Sequence, residues 1–346
     1  MPLPASPNIA IVGATGAVGR EFLPILHERT FRHKSLRLLA SSRSAGSTIE
    51  HCGQPLAVEE LTENSFDSVD LAFFSAGASV SKTFAPIAIN QGAVVIDNSS
   101  AFRMDENVPL IVPEINGNVL DDFPRPGIVA VPNCAAIVVL MAVTPLHRAV
   151  GIERMVVSTY QAASGAGAAW MRALQQQAHD YAQGRPYTTD VLGRQYLFNV
   201  FSHNSPIGPD GSNFEESKII AETHKIWGDD SVRVTVTCIR VPVLRAHCAA
   251  VNLTFRQPLH EDQARDILQA APGVKVVDDR EANKFPEPID ATGLDDVLVG
   301  RIRADLSQPP DMGLNLFVAG DQLRKGAALN AVQIAECLMQ SPARTV

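Results

Sequence analysis

Residues 8–20, NIAIVGATGAVGR, decide how the first part of the chain folds. Residues 8–12 form a short apolar run typical of a buried strand, and residues 17–29 form an amphipathic stretch that predicts a helix. Gly13, Gly16 and Gly19 lie between them. A strand, a glycine-rich turn and a helix in this order favour dinucleotide binding, because the backbone can approach a pyrophosphate and the helix start supplies free N–H groups. Glycines that merely permit close packing are the alternative.

The spacing of the apolar runs predicts a two-domain α/β protein. Early runs alternate with helical stretches and predict a Rossmann-type, doubly wound parallel sheet. These runs lie at residues 35–40, 69–76, 93–97 and 128–131. Later runs are rich in β-branched residues and predict a second, α+β domain with a mixed or antiparallel sheet. They lie at residues 232–240, 249–256, 297–304 and 314–319. A final helical pattern, residues 323–340, is expected to pack back onto the first domain.

Composition narrows the class of protein. Hydrophobic residues make up 46% of the 346 residues and the formal net charge is -8. This apolar content excludes a disordered chain, and the acidic balance argues against nucleic acid or an anionic membrane surface as a partner. The longest apolar run, residues 135–143, is far shorter than the ~20 residues of a membrane-spanning helix. The N-terminus lacks the pattern of a signal peptide, so a cytoplasmic protein is expected.

The five cysteines are odd in number, contain no C-x-x-C pair, and predict neither a disulfide framework nor a metal site. Cys134 follows a predicted strand and precedes a strongly apolar predicted helix. Helix N–H groups stabilise a thiolate and an oxyanion, so we expect Cys134 to be a nucleophile. Cys52, Cys238 and Cys337 are expected to be small buried hydrophobes, whereas Cys248 adjoins a candidate base, His247.

The end of the second predicted strand indicates which dinucleotide binds. NAD sites usually place an acidic residue there for the ribose 2′-hydroxyl. No acidic residue occurs between Arg29 and Ile49, and the strand is followed by Ser41, Arg43 and Ser44. A guanidinium among hydroxyls suits a 2′-phosphate, so the sequence favours NADP. An ordinary exposed arginine in a turn is the alternative.

Two further pairs are candidates for chemistry. Arg240 and His247 flank a break in a strand at Pro242, and a cysteine nucleophile needs a proton-transfer partner such as His247. A partly exposed structural histidine is the alternative. Glu215 and Lys218 lie three residues apart on one predicted helix face, a spacing that also fits a plain surface ion pair.

Taken together, several motifs resemble the aspartate-semialdehyde dehydrogenase family, in that family's order, from about residue 8 to 340. They are GATGAVG, SSRSAG, DNSSAFRM, VPEIN, PNC, YQAASGAG, the E-x-x-K helix, RVPVLRAH and DQLRKGAALNA. The resemblance implies an NADP-binding domain at 1–133 and a catalytic and dimerisation domain at 134–322. The latter would resemble the C-terminal domain of glyceraldehyde-3-phosphate dehydrogenase, and the protein would be a homodimer.

The resemblance also implies an activity. An NADP-dependent phosphorylating aldehyde dehydrogenase would reduce L-aspartyl 4-phosphate to L-aspartate 4-semialdehyde and phosphate through a Cys134 thioester. This reaction leads to diaminopimelate and lysine, threonine and methionine. His247 would be the acid/base and Gln161 would position the acyl group, while Arg240 and Glu215 would face the substrate carboxylate and ammonium. The implied phosphate ligands are Arg103, Lys218, Asn133 and Ser100. The implied cofactor contacts are Gly13, Thr15, Gly16, Ala17, Val18, Ser41, Arg43, Ser44, Ser164, Gly165 and Gln322.

The chain departs from the family pattern at a few positions. Ala135, Ala136 and Val138 stand where the family commonly has Ser, Thr and Gln, and Gln322 stands where Asn is common. Two alternatives are an N-acetylglutamyl-phosphate reductase-like enzyme and a non-catalytic cofactor-binding homologue. A Glu215 facing a free ammonium argues against the first alternative. Retention of the candidate nucleophile, base and basic anchors argues against the second.

Overall fold

The computed structural model describes residues 3–340, which form two compact units. Of the described residues, the first unit contains 3–133 together with 327–340, and the second runs from Cys134 to Gly326. The strands are β1 (Asn8–Val12), β2 (Ser35–Ala40), β3 (Thr48–His51), β4 (Gln54–Glu60), β5 (Leu71–Phe74), β6 (Val94–Asp97), β7 (Ile128–Ala130), β8 (Ile152–Gln161), β9 (Phe201–Ser202), β10 (Arg233–Arg240), β11 (His247–Phe255), β12 (Val274–Val276), β13 (Val297–Ala304) and β14 (Gly313–Gly320).

The helices connect and cover these strands. They are α1 (Ala17–Glu28), α2 (Ala78–Asn90), α3 (Pro113–Asn116), α4 (Cys134–Val150), α5 (Ala168–Ala182), α6 (Phe214–Trp227), α7 (Glu261–Gln269), α8 (Pro288–Ala291) and α9 (Leu329–Gln340). Within residues 3–340, none of them combines the length and apolar character needed to cross a bilayer.

The first unit is built on a seven-stranded sheet with the order β3-β4-β2-β1-β5-β6-β7. All neighbouring strands are parallel except the edge pair β3 and β4. Strands β5 and β6 are buried along their whole length, as continuous apolar runs in a parallel sheet should be. The doubly wound Rossmann-type sheet is confirmed.

The sequence did not predict the β3–β4 hairpin, because its strands carry charged residues and only one side is covered. Ile49 and Val58 are buried there, while their neighbours along each strand are mostly exposed. The hairpin turns at Cys52 and Gly53, both with positive φ. Cys52 is consequently exposed, so the expectation of a buried hydrophobe is wrong for this residue.

The second unit contains a mixed seven-stranded sheet with the order β12-β13-β14-β11-β8-β10-β9. Strand β8 lies at its centre, parallel to β10 and antiparallel to β11. Helix α4 packs against β8, β11, β13 and β14, and its residues Ala135–Leu146 are buried except Pro145. This burial explains why α4 is almost wholly apolar, and it fixes the position of the helix start that carries Cys134.

The C-terminal helix differs from its expected bounds. Helix α9 begins at Leu329, and a π-helical turn covers Arg324–Ala328 before it. Helix α9 packs within the first unit against α1, α3 and β6, and an Arg29–Glu336 ion pair of 2.7 Å joins it to the end of α1. Residues 323–326 belong to the second unit rather than the first, because Arg324 pairs there with Asp295.

Candidate active site

The glycine-rich turn borders a cleft of about 550 Å³ in the first unit. Gly13 has φ +85°, and a β-carbon on it would lie 2.9 Å from the backbone of Ser75 and Ala76. The turn therefore admits no side chain at this position. Helix α1 begins just after Gly16 without a side-chain cap and without an acidic residue in its first turn. Its first N–H groups are suited to a phosphate.

The residues assigned to the cofactor from the sequence divide between the two units. Five of them line this cleft: Gly13, Thr15, Gly16, Ser41 and Arg43. Ala17 and Val18 form the first turn of α1, and the Ser44 N–H donates to the Ser41 carbonyl at 2.8 Å. Ser164, Gly165 and Gln322 belong to the second unit.

The sequence analysis missed the apolar part of the cleft. Leu61, Val80 and Phe84 line it together with Ala40. None of the described residues that line the cleft is acidic. This donor set fits an adenine nucleotide, with an apolar wall for the base and an arginine for an added phosphate.

Arg103 is buried in the first unit next to the ends of β6 and β7. Its Nε donates to the Val131 carbonyl at 2.9 Å, and Nη2 donates to the Asn98 carbonyl at 2.8 Å. Of the other implied phosphate ligands of this unit, Asn133 is buried and Ser100 is exposed. Main-chain carbonyls at the strand ends thus hold the Arg103 guanidinium in place.

In the second unit, three strands place functional side chains at one edge of the sheet. Parallel strands β8 and β10 end there with Gln161 and Arg240, which are paired in register. Antiparallel β11 starts at the same edge with His247. Residues far apart in sequence meet here because the two parallel strands end where the antiparallel strand begins.

Cys134 is the first residue of α4 and is half-buried. A β-carbon on Gly326 would lie 2.9 Å from Cys134 Cβ and 3.3 Å from Gln322 Cβ. Gln322 in turn accepts a hydrogen bond from the Ala246 N–H at 2.8 Å and donates to the Ser164 hydroxyl. These contacts join the surroundings of the thiol to the residue that precedes His247.

His247 is fully buried, and its protonation is determined by its neighbours. Its Nδ1 lies 3.0 Å from the Ala162 N–H, which can only donate, so in the neutral ring the proton resides on Nε2. Nε2 has no hydrogen-bond partner within residues 3–340, and a β-carbon on Gly165 would lie 2.7 Å from it. Burial and the nearby Arg240 charge lower the pKa of His247 to about 3.

Arg240 is buried and held on three sides. Nε donates to Asn204 Oδ1 at 3.2 Å, Nη1 to the Ala162 carbonyl at 3.0 Å and Nη2 to His203 Nε2 at 2.6 Å. A guanidinium has five N–H groups, so one on each terminal nitrogen has no acceptor within the described part of the chain. Such a pair is what a carboxylate binds in a bidentate manner.

Glu215 lies beside these groups at the start of α6. The Gln161 amide nitrogen donates to Glu215 Oε1 at 3.1 Å, and Lys218 Nζ lies 3.8 Å from Glu215 Oε2. The Glu215 side chain is only 9% exposed and that of Lys218 is 38% exposed, so this is not a plain surface ion pair. Gln161 Oε1 has no partner within residues 3–340. A carboxylate and an amide oxygen together suit an ammonium group.

The other cysteines take no part in this cluster. Burial raises the pKa of both Cys238 and Cys248 to about 12, so these thiols stay protonated. Cys337 is partly exposed and therefore not the buried hydrophobe expected of it. His203 and Asn204, which hold Arg240, are the residues that the sequence analysis missed. They lie in an irregular segment with no periodic signal, and only the abundance of polar residues there could have drawn attention to them.

A cleft beside the glycine-rich turn of a Rossmann-type sheet, joined in one chain to a second α+β unit, is the arrangement of a nicotinamide-dependent dehydrogenase. Residues 8–123 match the family model "Semialdehyde dehydrogenase, NAD binding domain", and residues 143–325 match "Semialdehyde dehydrogenase, dimerisation domain". The chain belongs to the aspartate-semialdehyde dehydrogenase family.

Individual relatives agree with the family models. The aspartate-semialdehyde dehydrogenase of Synechocystis is 49% identical over 98% of this chain and 99% of its own length. That of Legionella pneumophila is 48% identical over 96% of each chain. The solved structure of aspartate semialdehyde dehydrogenase II from Vibrio cholerae, complexed with ASA, has a TM-score of 0.93 at 43% identity and covers 97% of this chain and 99% of its own. These relatives favour neither the acetylated-substrate reductase nor the non-catalytic homologue.

Proposed function

We propose that the chain reduces L-aspartyl 4-phosphate to L-aspartate 4-semialdehyde and phosphate with NADPH, in the synthesis of lysine, threonine and methionine. The observation that carries this proposal is the geometry of the buried Arg240. Each of its terminal nitrogens has one N–H without an acceptor among the described residues, and it lies in the same unit as Cys134. Glu215 and Gln161 supply oxygens for the ammonium group of the same substrate. Both charged groups of a free α-amino acid then have a partner.

Cys134 performs the covalent step. Its thiolate sulfur attacks the acyl carbon, a C–S bond forms, and the bond between that carbon and the phosphate oxygen breaks with its electron pair leaving on phosphate. The first N–H groups of α4 stabilise both the thiolate and the oxyanion of the tetrahedral intermediate. Arg103, Lys218, Asn133 and Ser100 are the proposed ligands of the phosphate, where lysine and arginine supply positive charge.

The nicotinamide cofactor, when bound, supplies the hydride, which a thioester accepts more readily than a carboxylate does. His247 is the proposed hydrogen-bond donor to the oxygen bonded to the reacting carbon. Its Nε2–H donates to that oxygen while negative charge develops, and Gln161 orients the acyl group. The oxyanion that hydride transfer leaves on this carbon then re-forms the C=O bond, which breaks the C–S bond, releases the aldehyde and returns the thiolate.

NADP is proposed as the cofactor because of the cleft of the first unit. Arg43 and Ser41 line it, Ser44 adjoins them, and none of its described lining residues is acidic. A carboxylate at this position would repel a 2′-phosphate, whereas a guanidinium binds it. Within residues 3–340 none of the five cysteines forms a disulfide, which supports a reducing, cytoplasmic location.

A homodimer is proposed through the second unit. On β8, Met155 and Val157 are buried on one side of the sheet, whereas Val156 and Tyr160 lie on the other. Tyr160 is 39% exposed there, and its ring lies 6.0 Å from that of Phe317. An apolar face of this kind suits a second copy, and the matching family model is described as a dimerisation domain. Sedimentation equilibrium tests this proposal, and a monomer at micromolar concentration would refute it.

The activity is tested in its reverse direction by following NADP reduction by aspartate semialdehyde, with and without phosphate. We expect phosphate-dependent reduction and little or none with N-acetylglutamate semialdehyde. Activity with only the acetylated substrate would favour a reductase of that class. Complete inactivity with both substrates would favour a non-catalytic homologue.

A further inference from the structure

His203 accepts a hydrogen bond from Nη2 of Arg240, whose second N–H has no acceptor among the described residues. The distance from Arg240 Nη2 to His203 Nε2 is 2.6 Å. A guanidinium can only donate, so Nε2 must accept, and the His203 proton must reside on Nδ1. Burial and the Arg240 charge lower the pKa of His203 to about 4, which keeps the ring neutral and able to accept.

The chain of hydrogen bonds continues from His203 to the start of α6. His203 Nδ1 lies 3.1 Å from the Ser205 hydroxyl, which lies 3.3 Å from Asn213 Oδ1. The same hydroxyl accepts from the Glu215 N–H at 3.1 Å. The Ser205 hydroxyl thus donates to Asn213 and accepts from Glu215, and the proton on Nδ1 that the Arg240 contact requires points to the same hydroxyl. The Ser205 N–H also lies 3.2 Å from Nδ1, a contact that is not a hydrogen bond in this tautomer.

This series of hydrogen bonds links Arg240 and Glu215, the two proposed partners of the substrate carboxylate and ammonium groups. Asn213 caps α6 by accepting from the Glu216 N–H at 3.0 Å, and Glu215 is the second residue of that helix. Arg240 lies at the end of β10, 25 residues later in sequence. Asn204 and the Ala162 carbonyl hold the other two guanidinium nitrogens, whereas His203 links Nη2 to the segment that leads into the helix carrying Glu215.

We propose that His203 is a positioning residue that sets the orientation of Arg240 relative to Glu215, and thereby selects substrates that carry a carboxylate and an ammonium group on one carbon. The inference rests on the proposed function, because it assigns Arg240 to the substrate carboxylate. Without His203, one of the three hydrogen bonds that hold the planar guanidinium is lost, so the whole plane can tilt and its two open N–H groups no longer face the substrate carboxylate. Replacing His203 should therefore weaken binding of the substrate carboxylate and leave the reaction at the Cys134 thiol unchanged.

The test compares His203→Leu, which loses the acceptor, with His203→Gln, whose amide can both accept from Arg240 and donate to Ser205. His179→Leu, an exposed histidine of α5, is the matched control. The assay is NADP reduction by aspartate semialdehyde and by 3-aminopropanal, which has the aldehyde and ammonium but no carboxylate. Melting temperature and KM for NADP report on folding and cofactor binding.

We expect His203→Leu to raise the KM for aspartate semialdehyde about 10- to 100-fold, as for loss of a hydrogen bond to a charged group, with kcat within about 3-fold. Its kcat/KM for 3-aminopropanal should match that of the unmodified protein, and His203→Gln should recover most of the loss. The inference is overturned if kcat falls in step with the rise in KM, or if His203→Gln is as impaired as His203→Leu. An unmodified protein that is inactive with aspartate semialdehyde refutes the proposed function itself, whatever the variants do.

Discussion

Gly326 packs directly against Cys134, and a β-carbon on Gly326 would lie 2.9 Å from Cys134 Cβ. The contact leaves no space for a methyl group, so Gly326→Ala must displace the thiol or the π-helical turn. Because covalent catalysis depends on placing the sulfur within a fraction of an ångström, we expect kcat to fall about 10- to 100-fold. Steady-state assays and the rate of Cys134 alkylation by iodoacetamide measure the effect. Gly117→Ala is the control, since its β-carbon would meet only Pro113 at 3.9 Å; equal activity of both variants would contradict the prediction.

Replacing the thiol itself should separate chemistry from cofactor binding. Cys134→Ala removes the proposed nucleophile, and we expect phosphate-dependent NADP reduction to disappear while the Kd for NADP, measured by fluorescence titration, stays the same. Cys52→Ala, which alters an exposed thiol of the hairpin turn, should leave the rate unchanged. Turnover above a few per cent in Cys134→Ala would argue against a thioester.

Cofactor choice should depend on Arg43. Arg43→Ala removes the guanidinium that lines the cleft, and we expect NADP to bind about 10- to 100-fold more weakly, as for loss of a charge-assisted pair. NAD lacks the 2′-phosphate, so its binding should change less than about 3-fold. Calorimetric titration with both cofactors measures this difference. Arg233→Ala, in an exposed part of β10, is the control, and parallel losses for NADP and NAD would refute the role in phosphate recognition.

Two histidines, the buried His247 and the half-buried His203, should make stability depend on pH. The pKa of His203 is lowered to about 4 and that of His247 to about 3, mainly by burial. The unfolded chain therefore binds protons that the folded chain does not, and the free energy of unfolding should fall as the pH drops from about 6.5 towards 4. The slope is up to about 1.4 kcal/mol per pH unit for each residue. Urea unfolding at pH 7, 6 and 5 measures it.

His203→Gln removes one of these titrating groups. It should make the decline between pH 6.5 and 4 shallower, whereas His179→Leu should not. Identical slopes in the unmodified protein and in His203→Gln would show that His203 does not titrate as its surroundings require.

The sequence predicted features that depend on neighbouring residues, but not those that depend on residues far apart in the chain. The turn around Gly13 and the placement of Cys134 at a helix start are local, and strand, glycine and apolar patterns were sufficient for both. The roles of His203 and Asn204 were not accessible in this way. Their bonds to Arg240 span 37 and 36 residues and start from a segment without periodicity.

The β3–β4 hairpin and the start of α9 could not be predicted from the sequence either. Strand β3 has only one buried residue, Ile49, so it lacks the apolar alternation that marks a strand. The turn before α9 continues the helical pattern of the sequence, but its first residue, Arg324, is held in the second unit by an ion pair with Asp295. Long-range ion pairs of this kind leave no pattern in the local sequence.

The hydrogen bond from the Ala162 N–H to His247 determines how a proton can travel. Because a main-chain amide occupies Nδ1, the ring has a single exchangeable position and cannot hand a proton through to a second group behind it. Any proton that the ring exchanges with a bound molecule must therefore leave and return at Nε2. Exchange of this proton with solvent must use the same nitrogen, which is buried beside Gly165, so a side chain at position 165 would close off the one exchangeable position of the ring.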